Sequence, residues 1–260
     1  MLIAEPGQTP YDLHFSIFGF PVRIHPFFWL VALIFGIDGD GTFDGTEIVI
    51  WIAVMFLSIL VHELGHAFAF RRFGIESSVV LYALGGVAVP DGGGSRNVWK
   101  SYKPTTHLSP QQQILVSLAG PAAGFGLAAI TILVMLAAGG NIHVFYGTLG
   151  IPLVFASHAT ASALSGAVNS LLWLNIIWGL VNLLPIYPLD GGQVARQLFL
   201  LYDHRDGFVR SVKLSLFVAV AVAVFGALVM RDMWMTMMFA SLAYSSYQIL
   251  QQLGGYRGPW

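Results

Sequence analysis

The sequence predicts an all-α, polytopic membrane protein with six transmembrane helices and a small surface β-sheet or hairpin. Three observations carry this. Of its 260 residues, 56% are hydrophobic and only 10% charged, against about 25% charged in an ordinary soluble domain. Mean hydropathy is +0.73. Between Lys103 and Asp190 lie 86 residues without an Asp, Glu, Lys or Arg, and one crossing needs only about 20 apolar residues. Residues 1–260 read as a single membrane domain, with no internal repeat or low-complexity tract.

Leu13–His25 alternates loosely and contains Gly19 and Pro21, which suits a short hairpin or an interfacial segment. The first span, residues 26–38, is short and calls for tilt or local thinning of the bilayer. The acidic, Gly-rich loop Asp38–Glu47 follows. A helix from Thr46 to Phe73 then holds span two, 47–72, with Thr46 as its cap and Gly74 just beyond its end. Ser77–Pro90 is rich in Val, Leu and Tyr and reads as strands at the membrane surface. Pro110 opens span three, 110–138, after which residues 139–166 form an external loop or a re-entrant piece. Span four, 168–185, is broken by Pro185 and Pro188. A short amphipathic stretch, Gln193–Arg210, leads to spans five and six, 212–230 and 232–253, which lack polar groups along their length.

Threading six spans from a cytoplasmic N-terminus leaves both termini inside. Eleven of the twelve Lys and Arg residues then fall on the cytoplasmic side, with only Arg231 outside, as the positive-inside bias requires. This threading brings His62–His66 and Asp190 to the same cytoplasmic ends of spans two and four. Localisation in the cell membrane follows. Met1–Pro26 has no basic region followed by an apolar core and cleavage site, so no removable signal peptide is expected. A net charge of −1 without a basic stripe excludes a nucleic-acid partner. The absence of cysteine excludes disulfides and thiolate ligands, so any metal must rest on histidine and carboxylate.

Two strings carry the chemistry. His62-Glu63-Leu64-Gly65-His66 closes the apolar run Ile48–Val61. Residues four apart share a helix face, so two imidazoles point the same way with a carboxylate beside them. Ionisable groups within a bilayer are costly and point to function. Catalytic zinc takes three protein ligands and keeps a fourth position open. The second string, Asn182-Leu183-Leu184-Pro185-Ile186-Tyr187-Pro188-Leu189-Asp190-Gly191, offers Asp190 as the natural third ligand. By position alone Asp190 fits a helix N-cap equally well, and the Asn182 and Pro185 spacing favours the ligand. Glu63 would take the proton of an attacking water. Asn182, a neutral amide, would donate to the oxyanion. His14, His25, His107, His143, His158 and His204 share no such spacing and read as loop or interfacial residues. The aromatic residues read as lipid-facing belt and packing, and Gly120-Pro121-Ala122-Ala123-Gly124 as a close-packing patch.

With these motifs in this order, the chain resembles the site-2 protease family of intramembrane zinc metalloproteases. The two ligand strings carry the likeness. Gly120-Pro121…Gly124 resembles a weaker third motif, and Leu84-Gly85-Gly86-Val87 a surface strand. The likeness runs from about residue 20 to 200. It implies a three-helix catalytic core, spans two to four within about 46–200, holding one zinc ion on His62, His66 and Asp190. It also implies Glu63 as the catalytic acid/base and a transmembrane protein as substrate, cut within the lipid bilayer near its cytoplasmic side. Gly85, Gly86 and Val87 would bind the extended substrate by strand addition. No inserted PDZ-like domain and no appended regulatory domain is expected. Two alternatives stay open: a protease of soluble peptides at the bilayer surface, and a non-catalytic zinc-binding scaffold or transporter.

Overall fold

The structure is a computed structural model that describes residues 7–37, 45–83, 85–90, 108–146, 152–157 and 162–255. Most of the acidic loop, Leu84, the glycine run after Asp91, His107 and His158 lie outside the described residues, as do Arg96, Lys100, Lys103 and Arg257. The chain divides into two compact units, one of Ala4–Thr106 with Ala119–Leu180, the other chiefly of Val181–Trp260 with His107–Leu118.

The first unit opens with the expected hairpin, β1 (Leu13–Ile17) and β2 (Phe20–Ile24), paired antiparallel from Leu13↔Ile24 to Ile17↔Phe20. Its two-residue turn, Phe18-Gly19, has positive φ at both positions (51° and 81°), the twist that a tight hairpin turn needs. Helix α1 (Pro26–Phe35) starts at Pro26, with the His25 ring accepting a hydrogen bond from Phe27 N–H at 3.2 Å. Helix α2 (Gly45–Arg72) places Glu47 in its first turn and Arg71 and Arg72 in its last, each suited to the helix dipole. It begins at Gly45, so Thr46 lies inside the helix rather than capping it. Gly74 (φ 75°) stops it, donating to Arg71 C=O at 3.0 Å.

Strands β3 (Ser77–Tyr82) and β4 (Gly85–Pro90) follow. β3 pairs parallel to β2 and antiparallel to β4, giving the order β1-β2-β3-β4. One face of this sheet (Phe20, Val22, Ile24, Val79, Leu81) packs on Leu60, Leu64 and Ala67 of α2. The sheet thus lies against the half of α2 that carries the His-Glu motif. Arg71 ties the same end down: its guanidinium lies 3.5 Å from the Phe20 ring centroid and donates to Phe18 C=O at 2.9 Å.

Asp12 closes the hairpin's base, accepting from Thr9 Oγ1 at 2.6 Å and from Arg23 Nη1 at 2.9 Å. Burial pushes its carboxyl up, but the Thr9 and Arg23 hydrogen bonds outweigh this and hold it below the usual 3.8. A folded pKa below the unfolded one stabilises fully above 3.8 and is lost as pH falls through the lower, folded value. Asp12→Asn is expected to lower the Tm at neutral pH by about 2–4 °C, the shift that roughly 1 kcal/mol produces in a chain of this size. The gap should close in acid; a gap that is absent at neutrality, or that persists well below pH 3.8, contradicts this reading.

Helix α3 (Pro110–Ala137) opens on a reciprocal cap, Ser109 N–H to Gln112 Oε1 at 2.8 Å and Gln112 N–H to Ser109 Oγ at 3.3 Å. Residues 139–166, where an external loop or a re-entrant piece is expected, include regular structure. They contain an antiparallel hairpin, β5 (Asn141–Tyr146) and β6 (Pro152–Ser157), and the next helix, α4 (Ser162–Trp173), starts ahead of residue 168. Asn169 on α4 holds the hairpin by accepting from Ala156 N–H at 2.6 Å. A π-helical turn, Leu174–Trp178, and the single turn α5 (Gly179–Asn182) continue α4.

The second unit contains α6 (Asp190–Tyr202), α7 (Gly207–Phe225) with a π-helical last turn Gly226–Met230, and α8 (Met233–Gly255). Ile186, in the loop before α6, is fully buried among Ala219 and Ala223 of α7 and Phe239 and Ala243 of α8. Contrary to the sequence reading, spans five and six do contain polar residues, Lys213, Thr236 and Gln248 among them, and Ser215 and Ser246 are buried. Among the described residues, three helices are long and apolar enough to cross a membrane: Gly45–Arg72, Pro110–Ala137 and Gly207–Met230. The protein is therefore a mostly helical membrane protein with a small sheet. The ten-residue α1 is apolar but short of a crossing.

Candidate metal centre

His62 and His66 sit one turn apart on α2 with their Nε2 atoms 3.2 Å apart and their rings at 77°. Two nitrogens bound about 2.0–2.1 Å from one tetrahedral zinc ion stand roughly 3.3 Å apart. The pair therefore has the separation of a shared cation's ligands. Glu63, between them in sequence, is 5% exposed.

Glycines make room for this arrangement. A Cβ at Gly120 on α3 would overlap His66 Nε2 and lie 2.7 Å from His62 Nε2. A Cβ at Gly65 would overlap Ala119 C=O and come within 2.8 Å of Ala123 Cβ, so α2 and α3 touch backbone to backbone. Gly86 on β4 lies against the general-base candidate: a Cβ there would be 2.8 Å from Glu63 Oε1. The patch read as packing is thus a cradle for the imidazoles, and the strand read from sequence runs past the Glu63 carboxylate. Gly85 and Val87 flank Gly86 on β4, half-buried.

Asp190 is the first residue of α6, with Leu189 in the capping position. In the first turn of α6 its carboxylate also suits the helix dipole. His62 and His66 belong to the first unit, and Asp190 opens a helix of the second. Two imidazoles and a carboxylate are a donor set suited to zinc with an open position, so these residues fit that metal. Asn182, half-buried, ends α5.

Sequence reasoning missed Asn175. This buried amide on the π-helical turn donates to Ser58 Oγ at 2.9 Å and to Leu171 C=O at 2.8 Å. Ser58 precedes His62 by one turn of α2, and a Cβ at Gly124 would be 3.3 Å from Asn175 Oδ1. The amide fixes the register of α2 against the α4–π segment. Its sequence signal is weak, because Asn169 and Asn182 share the same uncharged apolar run.

The model of peptidase family M50 matches residues 50–226, which include both ligand strings. The chain belongs to peptidase family M50. This M50 protein is 24% identical over 205 residues to zinc metalloprotease MJ0392 of Methanocaldococcus jannaschii, a match covering 77% of the chain and 48% of that protein. It is 31% identical over 202 residues to Rip3 of Mycobacterium tuberculosis, assigned by name to the zinc metalloproteases, covering 73% of the chain and 44% of Rip3. The M50 chain thus spans about half the length of the curated relatives it matches. Its fold resembles that of the solved site-2 protease from Methanocaldococcus jannaschii, with a TM-score of 0.52 at 23% identity over 92% of this chain and 95% of that one.

Proposed function

We propose that this M50 protein is an intramembrane zinc metalloprotease that hydrolyses a peptide bond in transmembrane protein substrates near the cytoplasmic side. The observation that carries the reading is the facing pair of Nε2 atoms, 3.2 Å apart, with buried Glu63 on the same helix. His62, His66 and Asp190 are the metal ligands, and the relatives' names support zinc as the metal, one ion per chain. Bound there, zinc supplies Lewis-acid polarisation of water and of the scissile carbonyl.

The chain's own residues do the rest. Glu63 accepts the proton of the attacking water and returns it to the departing amine. The sheet and β4 shield its carboxylate from bulk solvent, which strengthens its local electrostatics. Asn182 donates to the developing oxyanion. A substrate helix hides its carbonyls in its own hydrogen bonds, so it must unwind before cleavage. Among the described residues β4 is an outer strand of the four-stranded sheet. It offers unpaired backbone groups to an extended substrate, with Gly85, Gly86 and Val87 as the docking segment.

Six spans with both termini cytoplasmic complete the reading. The three apolar helices supply half of them. The continuous stretch Ser162–Asn182 and α8 (Met233–Gly255) are long enough for two more at 1.5 Å per residue, and α1 begins the sixth. The basic residues favour this orientation.

The reading is tested by reconstituting the chain in vesicles with single-span proteins and with soluble peptides of the same scissile sequence. Cleavage of the former, lost on chelation and restored by zinc, is expected; cleavage confined to soluble peptides would replace it with a surface protease. Strand docking has its own test. Proline at Val87 and at Ala88, in turn, removes one N–H facing β3 and one facing outward. The outward one is expected to lower kcat/KM at least about tenfold with zinc content unchanged, the scale of one or two lost hydrogen bonds. Full turnover in both variants excludes docking on β4.

A further inference from the structure

Asp190 is held by a short loop, Leu183–Leu189, that the metal chemistry leaves unexplained. The loop is wound by local turn bonds: Leu184 N–H to Val181 C=O at 3.0 Å, Ile186 N–H to Leu184 C=O at 2.7 Å, and Leu189 N–H to Ile186 C=O at 2.8 Å. Pro185 and Pro188 have no N–H to give. Tyr187 N–H alone leaves the loop by a described bond, donating to Ser215 Oγ on α7 at 2.8 Å. Ser215 Oγ in turn lies 2.9 Å from Ser246 Oγ on α8, and these two residues are 1% and 0% exposed. One residue before Tyr187, Ile186 is wedged fully buried between the same two helices. The start of α6 then closes on the loop. A Cβ at Gly191 would be 2.5 Å from Leu184 C=O, and one at Gly192 would be 2.5 Å from Tyr187 N.

We infer that the Ser215–Ser246 hydroxyl pair is a positioning device for the metal ligand Asp190, joining its loop to both α7 and α8. Nothing in the sequence spacing marks these serines. The physical argument is one of degrees of freedom. Only Pro188 and Leu189 separate Tyr187 from Asp190, and the interval is packed backbone to backbone, so fixing Tyr187 N fixes the carboxylate's origin. Ser215 Oγ accepts from Tyr187 N–H, and the bond to Ser246, whichever hydroxyl donates, holds the Ser215 side chain in that rotamer within an apolar interior. Groups that orient a ligand from behind commonly change metal affinity by about 10–100-fold when lost. A pair that served packing alone would give up stability and leave the metal as tightly held as before.

The inference rests on the zinc reading above, and the experiment separates the two. The full chain, purified in detergent, is loaded with Zn²⁺ and its release to a chelator is timed; the Co²⁺-substituted protein provides a ligand-field spectrum. In S215A, zinc release is expected to be at least about tenfold faster, with an altered Co²⁺ spectrum. S246A removes only the outer bond and should show a smaller change, about two- to fivefold. Because Ser246 acts through Ser215, the double variant should release zinc no faster than S215A, whereas independent contributions would multiply. Lowered Tm with unchanged zinc release and Co²⁺ spectrum overturns the inference. If S215A does not fold, S246A decides alone, and unchanged release there overturns it equally. Wild-type protein that binds no zinc would instead remove the reading beneath it.

Discussion

Glu63→Gln is expected to abolish measurable cleavage, lowering turnover by about a thousandfold, while one zinc ion per chain stays bound. The amide is nearly isosteric with the carboxylate, so the packing of β4 on position 63 survives and both imidazoles are untouched. What goes is the proton acceptor. General-base catalysis contributes about 10²–10⁴ in rate, and the buried setting of Glu63, with the Gly86 backbone against it, leaves no bulk water to take its place. The measurement is single-span substrate cleavage alongside zinc content. A variant that keeps zinc and more than about a tenth of wild-type turnover would remove the base role of Glu63 and favour a non-catalytic zinc scaffold.

Gly120→Ala should act on the metal rather than the base. The added methyl would overlap His66 Nε2 and crowd His62 Nε2, the two atoms offered as ligands. Imidazole rings are side-chain ends and can swing aside, so the fold can absorb the change. Swinging aside moves both nitrogens off the positions they share. The expected outcome is therefore zinc affinity lower by about 100-fold or more, with cleavage lost and the Tm of the metal-free protein within about 2–4 °C of wild type. Equal zinc affinity in wild type and variant would show that the rings bind from another rotamer, and the cradle role of Gly120 would fall. Gly65→Ala makes an informative contrast. Its methyl meets the Ala119 backbone, which cannot rotate away, so stability should suffer first.

The metal-site strings were legible because each is local. His62, Glu63 and His66 occupy one turn of one helix, and helical periodicity converts that spacing into geometry without knowledge of the rest. Asp190 was harder, since a carboxylate opening a helix serves the helix terminus as readily as a metal. The first hairpin and the β3–β4 pair were legible from breakers and β-branched residues. The β5–β6 hairpin was not. His143, Phe145 and Phe155 are exposed on it, and the alternation Asn141-Ile142-His143-Val144 is too short to mark a strand. Asn175 and Ser58 are 117 residues apart, and Ser215 meets the Tyr187 backbone across 28. Contacts of that separation leave no periodic trace, and a single hydroxyl in an apolar helix is indistinguishable from a tolerated small residue.

The parallel pairing of β2 with β3 has a bearing on biosynthesis. A parallel partner cannot be reached by a tight turn; here α1 and α2 fill the interval between Ile24 and Ser77. The first hairpin must therefore wait until both helices have been made before β3 can pair with it. β3 and β4 cannot join this sheet before the helix bearing the His-Glu pair has been made. A chain that ends ahead of Ser77 should therefore leave Val22, Arg23 and Ile24 without their β3 partners.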